Sequence, residues 1–291
     1  MSKRSLYFII LTFSISLFLG GIFRFLNVSE NLKLNMSLKV FVGVLYMFCP
    51  FFSVLILEKF SYESIKDKCG INFNLNFWYL IALLLPLFFS FASSGVATVL
   101  PNVEISYDME GFFERLSKTA NPQQISKMRQ QLENLPFNPL LFWIIGALIS
   151  SLTVNAVAAF GEEIGWRGYL FNELFYKYGF WKSSFIIGFI WGLWHIPLII
   201  QGHNYPSYPF LGVIWMIIFC ILYSPIFSLI RIKAGSVLAT SILHGAINAT
   251  YGFSILFLKG GNELLVGMLG VSGFIVLLIV DIIIWLSKWE L

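Results

Sequence analysis

Gly161-Glu162-Glu163-Ile164-Gly165-Trp166-Arg167 sets two adjacent carboxylates and a guanidinium after a run that is apolar except for Ser, Thr and Asn155. On a helix, Glu163 and Arg167 stand at i and i+4 with the acid on the N-terminal side. At that spacing opposite charges pair along the helix. Glu162 lies about 100° around the axis and is left without that partner. A carboxylate held without a cation in a low-dielectric site suits a general base or acid near neutral pH. The alternative is a single buried network in which all three charges hold helices together.

Two further groups carry histidine. Trp191-Gly192-Leu193-Trp194-His195 places His195 among aromatic rings, where it is either a proton acceptor or a satisfied core residue. His244-Gly245-Ala246-Ile247-Asn248 puts His244 and Asn248 at i and i+4, on one helix face. Two donors aimed at one point is what a developing oxyanion needs. Interhelical hydrogen bonds in a membrane use the same residue types, so that reading stays open too.

The elements that position these groups are set by the solvent, and the solvent is lipid. Of the 291 residues, 58% are hydrophobic and 12% are charged. A soluble domain carries about 25% charged residues. The mean hydropathy is +0.80. The net charge of +4 is thinly spread, which fits loops beside anionic headgroups and excludes a nucleic-acid footprint. Cys49, Cys69 and Cys220 form no CxxC pair and no zinc-finger pattern. In such a chain ionisable residues are costly and mark function.

Apolar runs at 5–23, 40–57, 77–99, 139–160, 182–200, 209–229, 235–257 and 264–286 predict about eight transmembrane helices. The expected fold class is all-α, a polytopic membrane helix bundle. Lys3 and Arg4 before the first run imitate a signal peptide, but the run is longer than a typical h-region and no A-x-A-like site follows. It is read as a retained first helix. Lys and Arg favour the side of the termini by 11 to 8, a narrow bias toward a cytoplasmic N-terminus. Residues 1–291 are read as one membrane domain with a catalytic core at 139–257 and a polar loop at 100–138. Within that loop Asn121-Pro122 reads as a cap with proline at the first helical position. Ile125, Met128, Leu132 and Leu135 then share a face and Pro136 ends it, which describes an amphipathic surface helix, either a lid or an ordinary loop helix.

Depth links the chemical groups. The chain is expected to reverse at Tyr178-Gly179, with Glu162 17 residues before Gly179 and His195 16 after it. Both then lie roughly 25 Å from the turn on antiparallel helices. A helix starting near Gly235 carries His244 and Asn248 to roughly 14–20 Å, a difference that tilt absorbs. One straight helix from Pro139 to Tyr176 is too long for a single span, so a break is expected near Ser150–Thr153. Asp281, in the last apolar run, is read as structural with Lys288 as a partner. His203 is read as a loop residue, and Pro50 and Pro225 as kinks.

Glu162-Glu163-x-x-x-Arg167, Trp191 four residues before His195, and His244-x-x-x-Asn248 together resemble the three signature motifs of the CPBP family. That family comprises type II CAAX prenyl endopeptidases and bacterial Abi-type, bacteriocin-processing relatives. The motifs stand in the expected order on separate helices, over roughly residues 139–257. The resemblance implies a glutamate-dependent intramembrane endopeptidase acting on a membrane-associated peptide or protein, in a multi-pass protein of the bacterial plasma membrane. Glu162 and His195 would activate a water, His244 and Asn248 would hold the oxyanion, and Glu163 and Arg167 would support them. The resemblance fixes no cofactor. Zinc on Glu162, His195 and His244 is the metal alternative, though no HExxH is present. The resemblance also admits a non-catalytic bacteriocin-immunity or scaffold protein of the same fold. A transporter is a third class, against which the lack of inverted halves counts.

Overall fold

The computed structural model describes residues 1–26, 32–117, 121–134 and 138–287, and these are helical almost throughout. Helix α1 (Lys3–Arg24) opens on Ser2, whose hydroxyl accepts the Ser5 N–H. Its buried positions are Ser5, Phe8, Thr12, Ser16 and Gly20, at helical spacing, while Leu17 and Phe18 face outward. Apart from Phe8, the inward face is small and hydroxylic and the bulky apolar residues turn outward, as expected where the outside is hydrocarbon. Helices α2 (Leu32–Met47) and α3 (Cys49–Leu57) form one apolar run interrupted at Phe48, where Pro50 sits in the first turn of α3. Short α4 (Tyr62–Cys69) ends on Gly70, and α5 (Phe77–Ala97) starts from an Asn76 cap.

The polar stretch after α5 is more ordered than its composition suggests. It holds strand β1 (Val103–Ile105), α6 (Glu110–Ser117) and α7 (Pro122–Glu133). Helix α7 has the expected Asn121 cap, completed by Gln124 into a reciprocal capping box, with Pro122 in the first turn. Leu135 and Pro136 lie outside the described residues. The strand was not expected from an all-α reading: β1 pairs antiparallel with β2 (Leu258–Gly260), Val103 opposite Gly260. Arg115 of α6 donates to the carbonyls of Leu258 and Gly260, so the loop is tied to the far end of the sequence.

The core follows as α8 (Pro139–Leu152), α9 (Val154–Glu163), a π-helical turn (Ile164–Leu170), α10 (Phe171–Trp194), α11 (Ile196–Ile199), α12 (Pro209–Ala234), α13 (Val237–Thr250) and α14 (Phe253–Leu256). Helix α15 (Val271–Leu286) closes the bundle. The expected break falls at Thr153, with φ −119° and ψ −103° between α8 and α9. Glu162 and Glu163 therefore end the second piece.

Lys3–Arg24, Ser37–Leu57, Phe77–Ala97, Val154–Ile199 and Pro209–Ala234 are each long and apolar enough to cross a membrane, and Pro139–Leu152 and Val271–Leu286 are shorter apolar helices. The protein is a polytopic helical membrane bundle. The 46-residue run Val154–Ile199 is not one rod. Glu162 and Trp191, 29 residues apart, would be separated by roughly 43 Å along a straight helix, yet they are hydrogen-bonded at 2.8 Å. The chain reverses at Gly179, whose φ of 71° and ψ of −176° lie in a region essentially reserved for glycine. Helix α13 sits centrally, packed on α5, α8 and α9. A Cβ on Gly245 would come within 2.7 Å of the Ala156 nitrogen, so glycine sets the close approach of α13 to α9.

Asp281 of α15 is buried, and its Oδ1 has no hydrogen-bond partner among the described residues. Lys288, its expected partner, lies outside them. Pro225 lies inside α12.

Because the reversal rests on one positive φ, Gly179→Ala is expected to destabilise the protein by about 1–3 kcal/mol. Gly95→Ala, in the last turn of α5 with open space at its Cβ, is expected to be neutral or stabilising. Thermal unfolding of both variants in detergent checks the contrast.

Candidate active site

Helix α9 delivers Glu162 and Glu163 into the interior, where both are buried. The π-helical turn that follows carries Arg167, also fully buried. Such turns widen the helix and are frequent at functional sites. Arg231 of α12 donates its Nε–H to the Arg167 carbonyl at 3.1 Å and so braces the turn from outside.

The two acids have different partners. Glu163 Oε1 accepts from Arg167 at 3.0 Å and from His244 Nδ1 at 2.8 Å. The Arg167 guanidinium lies over the rings of Trp191, at 4.4 Å, and Phe227, at 4.0 Å. Its Nη2 reaches Ser224 at 3.5 Å. Glu162 takes no part in that ion pair. Its Oε2 accepts the Trp191 indole N–H at 2.8 Å. The network reading thus holds for Glu163 and Arg167, with His244 added, and not for Glu162.

His195 caps the C-terminus of α10. Its Nδ1 is 2.7 Å from the Trp191 carbonyl, which can only accept, so the proton sits on Nδ1. In the neutral ring Nε2 is then the bare nitrogen, the tautomer of a proton acceptor. Rings of Trp191 and Trp194 stand edge-on to it, with centroids 5.5 and 5.0 Å away. Trp194 is pinned by its N–H to Ser16 of α1 at 2.6 Å and by Tyr46 of α2, whose hydroxyl donates to the Trp194 carbonyl at 2.5 Å. On α13, the His244 ring is held edge-on to Trp191 and Phe227.

Glu162, His195, His244 and Asn248 line one cavity of about 290 Å³. Glu163 and Arg167 stand behind its wall. The sequence reading did not find Gly43, Tyr46 and Met47 of α2, which form another side, nor Tyr251. His203, read as a loop residue, is in the loop between α11 and α12 and lines the same cavity with Asn204. Nothing in local spacing marks these positions, because they come from distant helices and loops.

The zinc alternative would draw on Glu162, His195 and His244. Although Glu162, His195 and His244 share the cavity, no three His, Cys, Asp or Glu side chains among the described residues are arranged to hold a metal ion. His244 Nδ1 and Glu162 Oε2 are already engaged by Glu163 and Trp191.

Residues 139–250, from the start of α8 to the end of α13, match the family described as type II CAAX prenyl endopeptidase Rce1-like. Over this core the chain is similar to that family. A curated relative, CAAX prenyl protease 2 of Methanococcus maripaludis, is 38% identical over 79 residues, which is 27% of this chain and 25% of the relative. The chain thus spans about a quarter of the length of that protein. The matched core holds five cavity-lining motif residues, Glu162, Trp191, His195, His244 and Asn248, while Tyr46 reaches the cavity from outside it.

Removing one member of a buried ion pair leaves an uncompensated charge, at about 3–5 kcal/mol. Arg167→Met is therefore expected to lower the unfolding temperature far more than Glu162→Gln, which strands no ionic partner. Equal losses in thermal unfolding would contradict the division of labour between the two acids.

Proposed function

We propose that this protein is an intramembrane endopeptidase that hydrolyses peptide bonds of a membrane-associated protein or peptide, with Glu162 as general base. The observation that carries the reading is the partition of the two adjacent acids: Glu163 is consumed by Arg167 and His244, while Glu162 faces a shared cavity free of any cation bridge. The match of the core to CAAX-type endopeptidases supports the same reaction class.

In this mechanism a water in the cavity gives a proton to Glu162, and the bare Nε2 of His195 accepts its second hydrogen and orients it. The water oxygen attacks the scissile carbonyl carbon. An imidazolium at His244, held through Nδ1 by Glu163, donates its Nε2–H to the oxyanion together with the Asn248 amide. Collapse breaks the C–N bond as Glu162 returns the proton to the departing amine. Arg167, against the rings of Trp191 and Phe227, keeps the Glu163 charge compensated. No step uses a metal.

Purified protein in detergent is tested with an internally quenched prenylated CAAX peptide. Glu162→Gln is expected to lose roughly 10³-fold in kcat, the scale of a positioned base. Asn248→Ala is expected to lose roughly 10²–10³-fold with KM held, the scale of one oxyanion donor. Exhaustive chelation should leave the rate unchanged. Full cleavage by Glu162→Gln would remove the proposal, and loss of activity on chelation, restored by zinc, would replace its mechanism.

A further inference from the structure

Trp191 touches Glu162, Arg167, His195 and His244, four of the other motif residues. Its indole N–H donates to Glu162 Oε2 at 2.8 Å, and its carbonyl fixes the His195 tautomer at 2.7 Å. One face carries the Arg167 guanidinium, and its ring meets His244 at a centroid distance of 5.5 Å. The ring is buried, and Phe227 stands edge-on to it. Most of these contacts need only an aromatic ring or a backbone carbonyl. The hydrogen bond to Glu162 needs an indole.

We infer that Trp191 is the positioning residue for Glu162: its N–H ties Oε2, fixes the plane of the carboxylate, and leaves Oε1 as the oxygen that meets the cavity. This rests on the reading of Glu162 as the base. Physically, a carboxylate at the end of a glutamate side chain has several rotamers, and a base is effective only when the accepting oxygen is held at hydrogen-bond reach of the proton. Glu162 has no salt bridge to hold it. Among the described residues, the Trp191 N–H is the donor that does. A neutral donor fixes the carboxylate without the charge compensation that an arginine would impose, so Glu162 is oriented yet remains able to take a proton. The same hydrogen bond favours the ionised form, because an N–H donates to a carboxylate more strongly than to a carboxylic acid.

The charged and titratable groups around Glu162 and its cavity are Glu163 and Arg167 from its own helical run, His195 at the end of α10, His244 on α13, Tyr46 on α2, Cys49 on α3 and Cys220 on α12, with His203 and Tyr251 further along the cavity lining. None of them is altered when the indole N–H alone is removed. Trp191→Phe keeps a ring against Arg167 and His244, and keeps the backbone carbonyl on His195. Benzothienylalanine at position 191 goes further: it keeps the bicyclic shape and replaces the N–H by sulfur, so packing is preserved.

The test reads Glu162 directly. A hydrophobic carbodiimide modifies protonated carboxyl groups, and mass spectrometry of the full-length protein after digestion locates the adduct, with Glu162→Gln as the blank. The pH of half-maximal labelling at Glu162 is expected to rise by about one unit in both 191 variants, since a donor to the ionised form is gone. On the quenched peptide, kcat is expected to fall roughly tenfold with KM held. Thermal unfolding confirms that the benzothienylalanine protein is folded. An unchanged labelling midpoint, or an unchanged kcat, in that folded protein overturns the inference. Labelling needs no turnover, so it is separable from the hydrolytic reading: a Glu162→Gln protein that still cleaves the peptide removes the base, whatever Trp191 does to the carboxylate.

Discussion

A carboxylate with two nitrogen partners in a bilayer is the constraint around which this molecule is arranged. Glu163 is fully buried, and a bare charge there is prohibitive. It persists because Arg167 and His244 both reach Oε1. Arg167 in turn lies over the rings of Trp191 and Phe227, on a π-helical turn that Arg231 braces from α12. These contacts lock α9, α10, α12 and α13 in register. Such a lock is strained bookkeeping by itself: one carboxylate oxygen and the Arg167 Nε remain without partners among the described residues. A buried ion pair of this kind is weak evidence for stability and better evidence for orientation. What it orients is His244 on one side and the neighbouring acid, Glu162, on the other.

The adjacency of the two glutamates then acquires a physical sense. One backbone step separates a neutralised acid from a free one, and the helix twist sends them to different sides of the same wall. Glu163 faces the interhelical contact, whereas Glu162 faces the cavity with His195, His244 and Asn248. The scaffold that keeps this wall in place is built on small residues. Inward-facing Ser, Gly and Ala let helices approach, while Phe, Leu and Ile fill the core as well as the outward face. Gly179 reverses the chain so that the end of α10 returns alongside α9. The polar segment beyond α5 is tied down by the β1–β2 pair and Arg115, far from the ion pair in sequence but continuous with the loop that precedes α15.

Features decided by neighbours in sequence were legible from the residues. The i,i+4 pairing of Glu163 with Arg167, the break at Thr153, the turn at Gly179 and the Asn121-Pro122 cap each depend on local geometry and on residues with strong backbone preferences. Features decided by distant partners were not. Val103 and Leu258 sit in short strands with no alternating run to announce them. Tyr46 meets Trp194 across 148 residues, and nothing in its helix marks it. The spacing of His244 and Asn248 suggested two free donors, yet one nitrogen of His244 belongs to Glu163. The aromatic residue four before His195 was legible as a motif position. That its N–H would hold Glu162 depended on a reversal whose register no single helix encodes.

The central claim is that Glu162 is a chemical group and Glu163 a structural one. Membrane peptides compared between cells making the wild-type protein and cells making Glu162→Gln at matched levels test it most directly, because glutamine keeps the shape and removes the base. The account predicts that a defined set of cleavage products disappears while the protein remains folded and inserted. Identical peptide profiles, with any associated phenotype intact, would contradict it and point to a protein that uses this fold to bind and not to cut.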